Sequence, residues 1–162
     1  VKYCWNTESD KLTRSVPVTN NEKNKRQLFA REKGSKMIEV TNFEKVGDFM
    51  EACDQDVNLE PDFPQTETML LRIALIEEEM DELIEAQESR DLVGVADALT
   101  DLLYVIYGTG HAYGIDLDSC FEEVHQSNMS KLVDGYAQKN EMGKVMKGPD
   151  YFEPNLIEVL GL

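Results

Sequence analysis

Residues 92–113 restrict the fold more than any other part of the chain. These 22 positions, LVGVADALTDLLYVIYGTGHAY, are apolar almost throughout, and Asp97 and Asp101 are their only acidic residues. A helix that is apolar on nearly every face belongs at the centre of a bundle. The two aspartates make it a poor membrane span. Asp91 suits its N-cap, and Gly114 ends it. Such a helix needs neighbours with apolar stripes to pack on.

The rest of the chain supplies them. Thr41 and Glu44 have capping-box spacing, and Phe43, Val46, Met50, Cys53 and Val57 then recur every three to four residues, which predicts a first helix running to Val57. Pro61 and Pro64 punctuate a loop, after which Thr66 or Thr68 caps a long acidic helix over 67–89. A fourth helix is expected over 117–132, capped by Asp116 or Asp118. Glycines and prolines make the remainder mainly loop, with a short helix near 156–160. No internal repeat and no strand pattern emerges, so the expected fold is an all-α bundle of four to five helices. Four modest helices, one nearly all apolar, have more surface to bury than one chain covers, which points to a homodimer or homotetramer.

Charge sets the domain boundary. Residues 1–36 carry nine Lys/Arg and four Asp/Glu, whereas residues 37–162 carry seven and 28. The first 36, rich in Asn, Lys, Ser and Thr without apolar period, read as a polar, basic extension, unstructured or foreign to the domain, with Gly34-Ser35 marking a junction. Residues 37–162 are the domain. The net charge of −16 would repel a nucleic-acid polymer or an anionic membrane surface. Small anions accompanied by divalent cations remain suitable ligands. Cys4, Cys53 and Cys120 form neither a zinc knuckle nor a disulfide framework, and no N-terminal stretch resembles a signal peptide, so the expected compartment is the cytoplasm.

On a helical wheel at about 100 degrees per residue, Glu79 and Glu82 share a face with Leu75, Ile76, Leu83 and Ala86, and that face looks toward the core. Glu77, Asp81 and Glu85 point elsewhere and suit water. A buried carboxylate without a partner is costly, so something must neutralise it. Asp97 and Asp101, at i and i+4, likewise share one stripe. Four carboxylates on facing stripes of adjacent helices offer oxygen ligands for Mg2+, with Mn2+ as a substitute.

Glu78-Glu79-Met80-Asp81-Glu82-Leu83 followed by Asp97-Ala98-Leu99-Thr100-Asp101 resembles the EExxE and ExxD motifs of MazG-like nucleotide pyrophosphohydrolases. The phosphoribosyl-ATP pyrophosphohydrolase branch is the closer likeness, through Asp101-Leu102-Leu103-Tyr104. His125-Gln126-Ser127-Asn128-Met129-Ser130-Lys131 and Gly143-Lys144-Val145-Met146-Lys147-Gly148-Pro149 follow in the order such proteins show. The resemblance covers about residues 40–155. It implies the all-α nucleoside triphosphate pyrophosphohydrolase fold, assembled as a dimer or dimer of dimers. The implied reaction attacks the α-phosphorus of a nucleotide and yields the monophosphate and pyrophosphate. One position departs: Ala98 stands where the ExxD glutamate falls, and Asp97, with a shorter side chain on another azimuth, is the substitute, which leaves one or two metal ions open.

Glu79, Glu82, Asp97 and Asp101 are therefore the expected metal ligands, and Glu78 and Glu79 the catalytic pair, with Glu78 orienting or deprotonating water. Only seven basic residues follow Met37, and Lys131, Lys139, Lys144 and Lys147 lie within seventeen positions. Lysines beside glycines approach phosphate closely, so Lys131, Lys144 and Lys147 are candidate phosphate ligands, and Lys139 a surface charge. Asn128 is a candidate for base or ribose, or a helix cap, and Tyr104 for a stacking partner or a core aromatic. His111 and His125 read as structural. Two rivals remain. Glu122 and His125 form one Glu-x-x-His pair of a di-iron carboxylate bundle, but Gly108 occupies the place of the second glutamate. A non-catalytic helical protein that senses nucleotides or binds partners is the other.

Overall fold

The computed structural model describes residues 40–162 and contains five helices in the order α1 (Asn42–Ala52), α2 (Thr66–Ser89), α3 (Leu92–Tyr113), α4 (Leu117–Met129) and α5 (Leu156–Leu160). The extension over residues 1–36 and its boundary lie outside the described residues. Among the described residues there are no strands, only isolated bridges between Val133 and Tyr136 and between Lys139 and Val145. The fold is all-α.

Local chemistry sets most helix ends. Thr41 Oγ1 accepts from the Glu44 amide at 3.1 Å while Glu44 Oε2 accepts from the Thr41 amide at 2.9 Å, the reciprocal pair the spacing predicts. α1 stops at Ala52, short of Val57, because Cys53 caps it and Asp54 turns left-handed at φ 54°. α2 starts beside Pro64 with Gln65 at its N-cap and no side-chain cap, so neither Thr66 nor Thr68 plays the expected part. Asp91 caps α3 through the Val93 amide, and Asp116 caps α4 through the Asp118 and Ser119 amides. α4 ends at Met129, three residues early, where the Ser130 hydroxyl donates to the Ser127 carbonyl at 2.8 Å.

Arg90, left-handed at φ 57°, and Asp91 are the whole connection between α2 and α3. A link this short folds α3 back along α2. At Gly94 an added Cβ would lie 3.0 Å from that of Ala86, so the missing side chain lets the two helices meet closely next to their turn. α1 packs on α3, and Val46, Met50, Leu75, Ala98, Leu102, Val105 and Ala112 form the core. His111 belongs to it: the ring stacks on Phe43 and its Nε2 lies 2.8 Å from the Phe43 carbonyl. The end of α3 is held from a distance. The Asn58 amide donates to the His111 carbonyl, Asn58 Nδ2 to the Ala112 carbonyl and the Asp62 amide to the Tyr113 carbonyl, which satisfies acceptors that a helix C-terminus leaves open.

The surplus apolar surface expected of a single chain is visible on α3. Leu99, Leu103 and Ile106 are 48%, 54% and 41% exposed, although among the described residues α1 and α2 pack along the helix. α4 packs on α5 and is tied to the C-terminal loop, and Leu117 at its start lies against Gly110 of α3. Among the described residues α3 alone is long and apolar enough to cross a membrane, a test that the core helix of a bundle also passes.

Candidate metal centre

The α2–α3 turn brings the acidic residues together. Glu79 lies eleven residues before Arg90 and Asp101 ten after Asp91, so folding about the turn sets them side by side. Along the buried stripe of α2 run Arg72, Leu75 and Glu79, at i, i+3 and i+7. Glu79 is only 1% exposed, and its Oε2 is buried without a hydrogen-bond partner.

The electrostatics follow from that position. Burial pushes the Glu79 carboxyl up to about 7, and the charges of Asp101, Glu82, Glu78 and Asp97, in that order, push in the same direction. Asp101, half-buried, is also raised, first by burial and then by Asp97 one turn away. Glu79 and the four carboxylates that act on it thus share one field.

The wheel placed Glu79 and Glu82 together on the inward face, and the structure separates them: Glu79 is buried, but Glu82 is exposed, as are Asp97 and Glu78. Nearer the turn the inward face of α2 continues through Leu83 and Ala86, both half-buried, while Glu82 beside them is exposed. Ala98, at the ExxD glutamate position, is 2% exposed and fills the packed interface, so Asp97 stands on the adjoining open side. The site is one buried acid, one half-buried acid and three at the rim.

Among the described residues no group of three His, Cys, Asp or Glu side chains is arranged to hold an ion. Mg2+ seldom needs one, because it usually keeps several waters and takes one or two carboxylates plus substrate phosphates. The orphaned Glu79 oxygen, with the hard oxygen donors of Asp101, Glu82 and Asp97 near it, fits such an ion.

The basic candidates lie elsewhere. Lys131 donates from Nζ to Asn128 Oδ1 at 2.6 Å, at the end of α4, and both Lys131 and Lys147 approach the Tyr151 ring. Lys144 is exposed in a turn where its amide donates to Asn140 Oδ1. Within one chain this group belongs to the α4–α5 part and the carboxylates to the α2–α3 hairpin. Tyr104, one turn past Asp101, packs edge-on against Phe49 at 5.5 Å and keeps 38% exposure. Burial raises its hydroxyl pKa, and Cys53 adds to the effect. Glu122 and His125, the one half of a di-iron motif, are exposed on α4. Sequence reasoning passed over Tyr151 and the buried Arg72, which donates to Gln55 Oε1 at 3.0 Å in space left by Gly108. Tyr151 had one signal, its place four residues after Lys147.

The phosphoribosyl-ATP pyrophosphohydrolase family model matches residues 46–128. The chain belongs to this family. An uncharacterized protein of Acanthamoeba polyphaga mimivirus is 38% identical over 85 residues, 49% of this chain and 33% of that protein. The chain therefore matches about a third of the length of that relative. The family match contains all five carboxylates and ends at Asn128, so Lys131, Lys144 and Lys147 fall beyond the pyrophosphohydrolase match.

Proposed function

We propose that the protein hydrolyses a nucleoside triphosphate or related nucleotide to the monophosphate and pyrophosphate in a Mg2+-dependent reaction in the cytoplasm. The observation that carries this reading is Glu79, a buried carboxylate with a partnerless oxygen in the field of four other acids. Without a cation such a group is unfavourable; with a cation and phosphate oxygens it is satisfied. Family membership supplies the substrate class.

Glu79 and Asp101 would hold one or two Mg2+ ions, and Glu82 and Asp97 would complete the donor set. Bound there, Mg2+ neutralises phosphate charge and makes water more acidic. Glu78 orients the attacking water and accepts its proton. The water oxygen bonds to the α-phosphorus, the bond from that phosphorus to the bridging oxygen breaks, and pyrophosphate leaves. Lys131, Lys144 and Lys147 meet phosphate oxygens, and Asn128 and Tyr104 meet base or ribose. A second copy of the chain covers Leu99, Leu103 and Ile106, each worth about 1.5–3 kcal/mol when fully buried. The assembly is a homodimer or homotetramer.

Pyrophosphate release against a panel of ribo- and deoxyribonucleotides, with and without Mg2+, tests the reading. Turnover that survives chelation, or no turnover of any nucleotide, would count against it. Ala98 favours a second reading, a nucleotide sensor that binds without hydrolysis, because no glutamate is available at that position. Nucleotide binding without pyrophosphate release would select it.

A further inference from the structure

The mechanism leaves Tyr151 without a part, although two lysines converge on it. Lys147 Nζ sits 4.2 Å from the centre of the half-buried ring and Lys131 Nζ 5.9 Å. The negative face of an aromatic ring attracts cations. The backbone is shaped for this meeting. At Gly148 an added Cβ would be 2.9 Å from the Lys131 carbonyl oxygen, so only glycine lets the two segments pass this closely. Ser127 Oγ donates to the Phe152 carbonyl at 2.8 Å, and the Phe152 amide donates to Ser130 Oγ at 3.1 Å, fastening the residue after Tyr151 to the end of α4.

Two ammonium groups drawn to one ring repel each other, yet they gather in a chain with a net charge of −16. Glu153 offsets only one of them, 3.4 Å from Lys147 with both side chains exposed. An exposed pair of this kind is weak and readily exchanged for a stronger anion. A group with several anionic oxygens spread over two phosphorus atoms matches two point charges better than a single phosphate does.

We propose that Tyr151 gathers Lys131 and Lys147 into a two-ammonium clamp for the pyrophosphate end of the substrate. The proposal rests on the pyrophosphohydrolase reading and deepens it: Tyr151 is a positioning residue acting through the lysines, and Glu153 is a built-in competitor that the ligand displaces from Lys147. Lys144, held by the Asn140 turn, is not part of the clamp.

Titration calorimetry of the full chain with magnesium pyrophosphate tests this, alongside KM and kcat for the nucleotide turned over. Tyr151→Leu, which keeps bulk and removes the ring, should weaken pyrophosphate binding about tenfold and raise KM more than it lowers kcat. Tyr151→Phe should bind within about twofold of wild type, since the ring face is retained. Glu153→Gln should bind about two- to threefold more tightly, a direction that loss of a merely structural bridge would not produce. Equal affinities for Tyr151→Leu and wild type, or weaker binding by Glu153→Gln, would overturn the clamp. Should Tyr151→Leu fail to fold, Tyr151→Phe and Glu153→Gln still decide. Nucleotide turnover with pyrophosphate binding indifferent to these changes refutes the clamp and leaves the hydrolase reading standing. Tyr151-dependent pyrophosphate binding without turnover of any nucleotide does the reverse.

Discussion

The α2–α3 hairpin and the α4–α5 part are built in opposite ways. The hairpin is acidic and held by helix-on-helix packing, and it buries a carboxylate oxygen that has no hydrogen-bond partner. The C-terminal part concentrates the basic residues at its surface and is held by short polar links such as Ser127 to Phe152 and the Asn155 amide to Glu123 Oε1. Helix packing can hold like charges together at an energetic cost, which suits a cation site. Loops can bring lysines to a phosphate without burying them. The two parts therefore differ in how they respond to metal, pH and salt, and each prediction below tests that difference.

The largest effect is expected at Asp101. Asp101→Asn removes a charge beside Glu79 and should lower Mg2+-dependent pyrophosphate release on the order of a thousandfold, about 4 kcal/mol of barrier, with the helical circular dichroism unchanged. Wild-type turnover in this variant would break the assignment of the hairpin as the metal half.

Glu79 governs the next. Its folded pKa of about 7 lies above the ordinary 4.5, so the folded state holds its proton more tightly than the unfolded state does. The penalty of ionising it is absent below about 4.5, grows as pH rises between the two values, and is complete above about 7. From that shift the upper size is about 3 kcal/mol. Metal-free wild type should therefore lose stability from pH 5 to pH 8, and Mg2+ should restore more of it at pH 8. Glu79→Gln should be the more stable metal-free protein at pH 8, equal to wild type near pH 4, and indifferent to Mg2+. Urea denaturation at the two pH values, with and without Mg2+, measures this, and an Mg2+ effect that survives the substitution would sink it.

Smaller changes are expected in the C-terminal part. Lys144→Ala should raise KM several-fold with little change in kcat, if the lysine binds ground state and transition state alike; an unchanged KM removes Lys144 from the phosphate group. Ser127→Ala leaves the Phe152 carbonyl without its donor and should lower stability by about 1 kcal/mol, at any pH and without regard to Mg2+. A pH- or metal-dependent loss there would show that the two parts are not independent.

Much of the hairpin was legible in the sequence because its determinants are local. Asp91 and Gly114 bound α3 as expected, and the family motifs mark α2 and α3. The wheel erred at Glu82 because azimuth ranks faces and not depth: Leu83 and Ala86 share the face and are half-buried, while Glu82 is exposed. The exposed face of α3 agrees with the surplus surface expected of it, since an apolar face shows that cover is needed but does not place the cover within the same chain. Val57 kept the three-to-four period of α1 while lying beyond it, because a left-handed Asp54 is invisible to hydrophobic periodicity. The meeting of Tyr151 with Lys131 spans twenty positions of loop and turn, where no periodicity exists to read.

The carbonyls that close α3 are bonded by residues that come more than fifty positions earlier. The loop between α1 and α2 is thus a clasp on a helix made later in the chain, and neither is finished until both are present. Exchange of the Asn58 and Asp62 amides with deuterated solvent becomes a gauge of the far end of α3, and a protease nick in that loop would fray a helix it never touched.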